Sequence, residues 1–286
     1  MAGAPRAHRQ QAHPAYRRPM TSPGGEPRPV RIGTSGWHYP HWQGPFYPSG
    51  LAADQWLSHY ASHLGAVEVN GTFYHIPQAT AFTAWREQTP EDFLFALKAP
   101  RTITHMRKLR ACAEPLAPFL ARARLLGPKL GPLLFQLPPR WHANPRRLAE
   151  FLAGLPVGPR YAFEFRDPSW HCEAVYEVLS ARNAAFCIYN LAGFTSPLAT
   201  PADFVYLRLH GPGAEPYQGS YGEHQIRDWA ARARQWSGRG HKDVYIFFDN
   251  DQAGYAVRNA LSMRKYLTEE LVRPTEARSG ERAPAG

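Results

Sequence analysis

Eight short apolar runs, rich in β-branched and aromatic residues, alternate along the chain with longer segments of helical periodicity. Runs of this length are typical of buried strands. The runs are Val30–Ser35, Ala66–Asn70, Phe93–Lys98, Pro132–Leu137, Tyr161–Arg166, Ala184–Asn190, Phe204–His210 and Val244–Asp249. Strand and helix alternating eight times predict an α/β protein that folds as a single TIM-type (β/α)8 barrel.

Six of the connecting segments have the periodicity of amphipathic helices. They are Asp54–His63, Glu114–Leu126, Pro145–Leu152, Cys172–Arg182, Glu223–Trp236 and Ala253–Leu267. Only Leu191–Ala202 separates the sixth run from the seventh, and Pro197 and Pro201 interrupt it, so we expect the sixth helix to be short or missing. A doubly wound open sheet is the main alternative, but the turn that begins at Gly33 lacks the G-x-G-x-x-G pattern of that fold.

The two ends of the chain differ from its body in composition. Residues 1–28 hold five arginines and one glutamate, and residues 271–286 are also rich in Pro, Gly, Arg and Ala. Because neither end has apolar periodicity, we expect disordered tails on either side of a barrel domain over residues 29–270. The ends carry half of the net charge of +10, so the charge by itself is weak support for a nucleic-acid partner.

The cysteines and the hydropathy bear on the compartment. Cys112, Cys172 and Cys187 are far apart and form no C-x-x-C pair, which argues against a disulfide framework or a thiolate metal site. No apolar run approaches the roughly 18 residues that cross a bilayer. Arg17 and Arg18 are followed by Pro and Gly rather than by an apolar segment, so we expect no export signal. These features predict a cytoplasmic protein without a membrane partner.

Polar residues recur at the ends of the predicted strands. In Tyr161–Arg166, the two-residue alternation of a strand puts Glu164 and Arg166 on one face. Other strands end in the same way, and active sites of TIM barrels lie at this carboxyl end. The strand-end residues are Glu68, Asn70, Lys98, Gln136, Glu164, Arg166, Asn190, Arg208, His210, Asp249 and Asn250. Burying so many polar groups has to be offset by mutual pairing or by a ligand, so they predict a site.

The residue types suggest roles for these side chains. We predict Glu68, Glu164, His210 and Asp249 as catalytic residues, because carboxylates and imidazoles transfer protons. Arg166 and Arg208 are predicted to clamp an anion, with Lys98 as a further charge. The other predicted substrate contacts are Trp37, Asn70, Tyr74, Gln136, Trp170, Asn190 and Asn250, in which the aromatic rings suit a sugar or a base. A structural ion network of the same carboxylates and arginines is the alternative.

Several ordered motifs resemble the YecE-like family, domain of unknown function 72, over roughly residues 30–268. They are Gly33–Trp42 with Gly44–Pro48, Val67–Tyr74 with Pro77, Phe95–Lys98 with Thr104 and His105, Gly131–Pro139, Phe163–Trp170, Tyr206–Gly211, and Phe247–Asp251 with Ala256, Asn259 and Ala260. The resemblance implies a TIM barrel similar to sugar isomerases and apurinic-site endonucleases, without a settled reaction. Asp167 stands where many relatives have histidine, and Asp249 where many have asparagine.

The predicted function is that of an enzyme, hydrolase- or isomerase-like, for an anionic substrate. The substrate is expected to be a phosphorylated or carboxylated compound with a sugar- or nucleotide-like part. The alternatives are a nucleic-acid-binding or repair-associated endonuclease, which is less favoured, and a non-catalytic metabolite-binding protein. We expect no cofactor. A divalent metal is a weaker alternative, because Arg166 and Arg208 would oppose a dication in the same layer.

Overall fold

The structure is a computed structural model that describes residues 28–238, 240 and 242–269. The predicted tails therefore lie outside the described residues, apart from Arg28. The backbone of Arg28 is bonded to the end of a helix, where its N–H donates to the carbonyl of Ser237 at 3.1 Å.

Eight parallel strands form a nearly closed barrel. They are β1 (Val30–Thr34), β2 (Ala66–Val69), β3 (Leu94–Lys98), β4 (Leu130–Leu137), β5 (Tyr161–Phe165), β6 (Ala185–Leu191), β8 (Phe204–Leu209) and β9 (Asp243–Phe248). The strand order around the barrel is β1-β9-β8-β6-β5-β4-β3-β2, and each of these pairings is parallel. A two-residue strand, β7 (Phe194–Thr195), pairs antiparallel with β6. The predicted barrel and its eight strands are confirmed.

A tyrosine hydroxyl links β1 to β2, where the ladder is otherwise incomplete. The hydroxyl of Tyr60 accepts a hydrogen bond from the Thr34 N–H at 2.8 Å and donates one to the Ala66 carbonyl at 2.9 Å. Further along, Ser35 and Glu68 form a single parallel bridge. The barrel therefore closes through one buried side chain and one bridge rather than through a continuous ladder.

The same seam depends on a glycine. A Cβ atom added to Gly33 would lie 2.0 Å from the carbonyl oxygen of Ala66 on β2, well inside van der Waals contact. The close approach of β1 to β2 therefore requires glycine at this position.

Seven helices surround the strands in the described part of the chain. They are α1 (Trp56–His63), α2 (Ala79–Glu87), α3 (Ala113–Ala123), α4 (Pro145–Ala153), α5 (Glu173–Ser180), α6 (Glu223–Ser237) and α7 (Tyr255–Glu269). The six predicted helices are confirmed, and α2 is an additional one. Phe82 is the one residue that α2 buries fully, which explains its weak sequence pattern. No described helix has the length and apolarity that crossing a membrane requires.

The connection between β6 and β8 contains no helix in the described residues 192–203, as predicted. The short strand β7 turns back onto β6 there instead. A cleft of about 480 Å³ lies on this flank, between α5 and the segment from Ala199 to Pro201. It lies on the outer wall of the barrel, away from the strand ends that carry the polar residues.

The barrel interior is packed asymmetrically below the strand ends. Strands β2, β3, β5 and β6 contribute mainly small residues, and strands β8 and β9 contribute large aromatic ones. These buried residues are Ala66, Ala96, Ala162, Ala185, Cys187, Phe204, Tyr206, Tyr245 and Phe247. The aromatic rings fill the space that the alanines leave, so the lower barrel is a solid core on which a site can be built.

Candidate functional site

On β2, β3, β4, β5, β8 and β9, the inward-facing positions change from apolar to polar two residues further along the chain. Because successive side chains of a strand alternate in direction, these residues face the same interior as the apolar core beneath them. We call this set the charged layer, which consists of Glu68, Lys98, Gln136, Glu164, Arg166, Arg208, His210 and Asp249. The fold brings these residues together at one end of the barrel, where the strand pattern placed them.

Arg208 lies at the centre of the charged layer and is 0% exposed. Its Nε and Nη2 atoms donate to both carboxylate oxygens of Glu68 at 2.6–3.1 Å. Its Nη1 donates to Oε2 of Glu164 at 2.7 Å, and its Nη2 to Oδ2 of Asp249 at 2.9 Å. The guanidinium group therefore holds three carboxylates together. It does not present a free fork to a ligand, which revises the predicted role of Arg208 as an anion clamp.

Glu68 has all of its hydrogen-bonding positions filled. Beyond Arg208, its Oε1 accepts from the Ser35 hydroxyl at 2.6 Å and its Oε2 from the Tyr206 hydroxyl at 2.6 Å. The side chain is 0% exposed. Its geometry fits a group that positions Arg208 rather than one that touches substrate. Ser35 and Tyr206 were not predicted, although Tyr206 precedes Arg208 by two residues and so faces the same way.

Glu164 is similarly enclosed. Its Oε1 accepts from Gln136 Nε2 at 2.8 Å and from Arg166 Nε, while Arg208 occupies its Oε2. Burial alone raises the pKa of Glu164, but Arg166 and Arg208 outweigh burial and hold that pKa well below its usual range. Glu164 is therefore ionised at neutral pH, and a proton-carrying role for it would require this network to open.

His210 is buried between the acidic and the basic groups of the layer. Its Nδ1 lies 3.0 Å from Oδ2 of Asp249, within ion-pair distance. Its Nε2 lies 3.2 Å from Arg166 Nη2 and 3.3 Å from Arg208 Nη1, so it is placed to accept from a guanidinium group. Burial and then Arg208 lower the pKa of His210 more than Asp249 raises it, which keeps the ring neutral near pH 7.

Asp249 is the carboxylate of the layer that reaches solvent. Its side chain is 17% exposed, whereas those of Glu68 and Glu164 are 0% exposed. Burial alone raises the pKa of Asp249, but Arg208 and His210 lower it further than burial raises it. Asp249 is thus an ionised hydrogen-bond acceptor at the mouth of the barrel.

Arg166 is the arginine with unused donors. Its side chain is 11% exposed, its Nε donates to Glu164, and its guanidinium carbon lies 5.1 Å from the centre of the Tyr189 ring. Its Nη1 nitrogen makes no hydrogen bond to any residue in the described ranges. Arg166 is therefore held in place by Glu164 and Tyr189 while one edge of its guanidinium group faces the mouth.

Lys98 lies at the end of β3 without an ionic partner. Within the described residues its Nζ has no carboxylate within 4.0 Å, and it lies 4.5 Å from the centre of the Phe73 ring. The Thr72 hydroxyl donates to the Lys98 carbonyl at 2.7 Å and fixes the backbone. Burial and then Arg208 lower the pKa of Lys98 more than the nearby carboxylates raise it.

His105 is a further group beside the mouth that the predicted site did not include. It lies in a π-helical turn, Thr102–Met106, a feature that occurs often at functional sites. Its ring centre is 5.0 Å from that of Phe73, and its Nδ1 is 2.9 Å from the Thr104 hydroxyl. Burial and then Lys98 lower the pKa of His105, so the ring is neutral at pH 7. No strand-end pattern could have identified it.

The three predicted asparagines have different surroundings. Asn70 has a buried Oδ1 with no hydrogen-bond partner among the described residues, which a donor from a ligand could satisfy. Asn190 accepts from the Tyr221 hydroxyl at 2.6 Å and donates to Thr195 at 3.0 Å. Asn250 donates to the carbonyl of Gly219 at 2.9 Å, and its buried Oδ1 also lacks a partner among the described residues. Asn190 therefore holds a loop in place, Asn250 does so with an acceptor left over, and Asn70 remains a contact candidate.

The predicted aromatic contacts lie outside the charged layer. Trp170 is fully buried, stacks on Phe165 at 4.9 Å and donates to the Trp141 carbonyl, so it packs the loop after β5. Trp37 makes an edge contact with Trp85 of α2 at 5.4 Å. Tyr74 is 72% exposed. The structure thus places the first two in packing roles and leaves Tyr74 on the surface.

Asp167 and Asp249, the two residues expected to differ from many relatives, are separate in space. Asp167 caps the turn that follows it, because its Oδ1 accepts from the Ser169 N–H at 3.1 Å and from the Ser169 hydroxyl at 2.6 Å. Asp249 joins the charged layer. Within the described residues, no three His, Cys, Asp or Glu side chains are grouped so that they could hold a metal ion.

The strand order and the charged layer at the strand ends define a TIM-type barrel protein with a pre-assembled polar site at its mouth. Residues 31–282 match the family described as "Protein of unknown function DUF72". The chain belongs to this family.

Named relatives and solved structures agree with this assignment. The chain is 35% identical to UPF0759 protein YecE of Escherichia coli over 151 residues, a match that spans about half of the length of YecE, 52%. It is 26% identical to UPF0759 protein YunF of Bacillus subtilis, over 84% of this chain and 95% of YunF. The crystal structure of a DUF72 family protein from Thermotoga maritima has a TM-score of 0.74 and 30% identity, covering 84% of this chain and 99% of that one. A DUF72 family protein from Enterococcus faecalis, at 21% identity and a TM-score of 0.68, shares the fold over 83% of this chain and 95% of its own.

Proposed function

We propose that this protein is an enzyme that acts on a small anionic compound at the carboxyl-end mouth of its barrel. The compound would be phosphorylated or carboxylated and carry a sugar- or nucleotide-like part. One observation carries the proposal: beside a fully paired buried ion network, Arg166 and Lys98 keep donors that no described residue uses. Two cations with free donors at the mouth suit an anionic ligand.

The burial of the network supports a functional reading over a purely structural one. A buried ion network stabilises a fold no better than well-packed apolar residues would, because desolvation offsets the attraction between the charges. Here Arg208, Glu68 and Glu164 are all 0% exposed, at the barrel end where active sites lie. The network instead holds Arg166 and Asp249 in fixed positions, which is the preorganisation that catalysis requires.

The proton-transfer groups in this proposal are those at the edge of the network. Asp249 is an ionised acceptor that reaches solvent. The pKa of Lys98 is lowered from its usual value, which suits a general acid or base. Glu68 and Glu164 act as positioning residues for the two arginines. This arrangement fits hydrolase- or isomerase-like chemistry next to an anionic group.

Isothermal titration with inorganic phosphate tests the anion site. Hydrogen bonds to charged groups contribute about 1.5–3 kcal/mol, so Arg166→Met and Lys98→Met should each weaken binding roughly ten- to hundredfold. Arg182→Met removes one charge from an exposed residue between α5 and β6, at the opposite end of the barrel, and should leave affinity unchanged. Equal affinity in all four proteins would contradict the proposal.

A second candidate, nucleic-acid binding, has one observation in its favour. Lys108 Nζ, in the loop after β3, lies 6.0 Å from the centre of the Trp141 ring, and the guanidinium carbon of Arg147, in the first turn of α4, lies 5.8 Å from it. Two cations held close together suit the phosphates of a nucleic-acid backbone. A steep salt dependence of single-stranded DNA binding, reduced by Lys108→Ala and Arg147→Ala, would favour this function.

A further inference from the structure

We propose that Lys98 is a nucleophile and forms an imine with a carbonyl group of the substrate, which makes the substrate an anionic aldehyde or ketone. This inference rests on the proposed function, because Arg166 would bind the anionic group of the same molecule. It adds a substrate class and a covalent step to that function.

The Lys98 amine is isolated from the acidic groups of its own layer. Arg208 takes up the three carboxylates of the charged layer, and Arg166 shares Glu164. Lys98 Nζ therefore has no carboxylate within 4.0 Å among the described residues, although it lies in the same layer. An ammonium group without a close counter-ion loses little when it gives up its proton, and a neutral amine is the reactive form.

The surroundings of the Lys98 nitrogen also favour a neutral amine. The Phe73 ring covers it at 4.5 Å, and the Lys98 backbone is fixed through the buried Thr72 hydroxyl. Burial and the positive charge of Arg208 lower the pKa of Lys98, as they do for amine nucleophiles placed beside another cation. The side chain is half-buried rather than enclosed, so a carbonyl compound can reach the amine.

A group that can carry protons lies near Lys98. His105 contacts the same Phe73 ring as Lys98, and its ring is neutral at pH 7. Its Nδ1 is paired with Thr104, which leaves Nε2 to exchange a proton.

Imine formation needs no reactant beyond Lys98, His105 and the carbonyl compound. The Lys98 ammonium first passes one proton to His105, and its nitrogen then forms a bond to the carbonyl carbon. The carbonyl oxygen takes two protons, both originally on the nitrogen and relayed by His105, and leaves as water. An ammonium group and a carbonyl compound thus give a protonated imine and water, with no change of oxidation state.

The rest of the chain supplies internal references for a labelling test. It has five lysines, namely Lys98, Lys108, Lys129, Lys242 and Lys265. Lys129 and Lys242 donate to backbone carbonyls, Lys129 to that of Thr89 at 2.6 Å, and are thereby occupied. Lys108 and Lys265 are exposed. A reactive Lys98 should therefore be labelled faster than these two exposed lysines.

The experiment uses pyridoxal 5′-phosphate, an aldehyde that carries a phosphate, as the probe. The full chain is incubated with it, reduced with borohydride to convert the imine into a stable secondary amine, and mapped by peptide mass spectrometry. At pH 7 we expect Lys98 to be labelled faster than Lys108 and Lys265, because a lowered pKa leaves more of its amine unprotonated. Inorganic phosphate should slow labelling at Lys98 alone, and Lys98→Arg should abolish labelling at that position.

The outcomes separate this inference from the proposed function. If Lys98 is labelled no faster than Lys108 and Lys265 while phosphate binds with Arg166 dependence, the imine is wrong and the anion site stands. If Lys98 is labelled fast and phosphate neither binds nor protects, the nucleophile stands and the anion-binding function is wrong. If Lys98 is labelled no faster and phosphate does not bind, both the imine and the anion site are wrong.

Discussion

Replacing Arg208 by methionine tests the description of the charged layer most sharply. The side chain is fully buried and serves Glu68, Glu164 and Asp249 at once. After Arg208→Met, Glu164 still has Arg166, and Asp249 still reaches solvent. Glu68 would lose its only ion-pair partner among the described residues.

The size of the effect follows from that asymmetry. Glu68 would keep only the hydroxyl groups of Ser35 and Tyr206. Removing one partner of a buried ion pair costs about 3–5 kcal/mol, since an uncompensated charge remains. For a barrel of this size this corresponds to a melting temperature lower by about 6–20 °C.

Thermal unfolding followed by circular dichroism measures the loss, with the exposed Arg182→Met as the matched control. The double variant Arg208→Met/Glu68→Gln removes the stranded charge and should recover about 1–3 kcal/mol relative to the single change. An Arg208→Met variant that melts at the wild-type temperature would refute this account. So would a double variant whose loss of stability equals the sum of the losses in the two single variants.

Three other features of the structure make distinct predictions. The pKa of His210 is lowered from 6.5 in the folded protein, so protonation of the unfolded chain destabilises the fold as the pH drops below about 6.5, by up to about 1.4 kcal/mol per pH unit. Urea unfolding at several pH values should show a flatter pH dependence of stability for His210→Gln. An unchanged slope would count against a neutral buried ring. Gly33→Ala should destabilise the barrel by about 3 kcal/mol or more, whereas Gly71→Ala, with no atom within 4 Å of its new Cβ, should be tolerated. Similar urea midpoints for the two variants would show that β1 and β2 pack less closely than described. Tyr60→Phe leaves the Thr34 N–H without its partner, which should lower the free energy of unfolding by about 1–3 kcal/mol and accelerate hydrogen exchange of that amide. An unaltered exchange rate would contradict this role of Tyr60.

The strands were predictable because parallel barrel strands are buried on both faces and so form continuous apolar runs. Their ends agree with the structure to within one or two residues, as in Phe204–His210 against Phe204–Leu209. Helix α2 was missed because only Phe82 among its residues is fully buried. The hairpin at β7 was also missed, since two exposed residues, Phe194 and Thr195, have no strand periodicity.

The membership of the charged layer was predictable, but its pairing was not. Alternation along each strand places Glu68, Glu164 and Arg208 at the same barrel end whatever their partners are. The bond between Arg208 and Glu68 joins residues 140 positions apart, and its geometry depends on how the barrel closes. Only the structure therefore distinguishes Arg208, whose donors are occupied, from Arg166, whose Nη1 has no partner among the described residues.

Aromatic residues in loops gave the least reliable predictions. A tryptophan suits both stacking on a ligand and filling a gap, and sequence does not distinguish the two. Trp170 is fully buried against Phe165, and Trp37 packs on Trp85. The strand-end pattern did not identify His105, because it lies in a π-helical turn, and the family motif with Thr104 was its only sequence signal.

The most direct test of the central claim is native mass spectrometry of the protein purified from its own host without added ligand. The claim is that an anionic small molecule binds at the mouth through Arg166 and Lys98. It predicts a bound species with the mass of a phosphorylated or carboxylated metabolite, released by mild activation and lost from the Arg166→Met/Lys98→Met double variant. A bound species that the double variant retains at full occupancy, or a nucleic acid in its place, would contradict it.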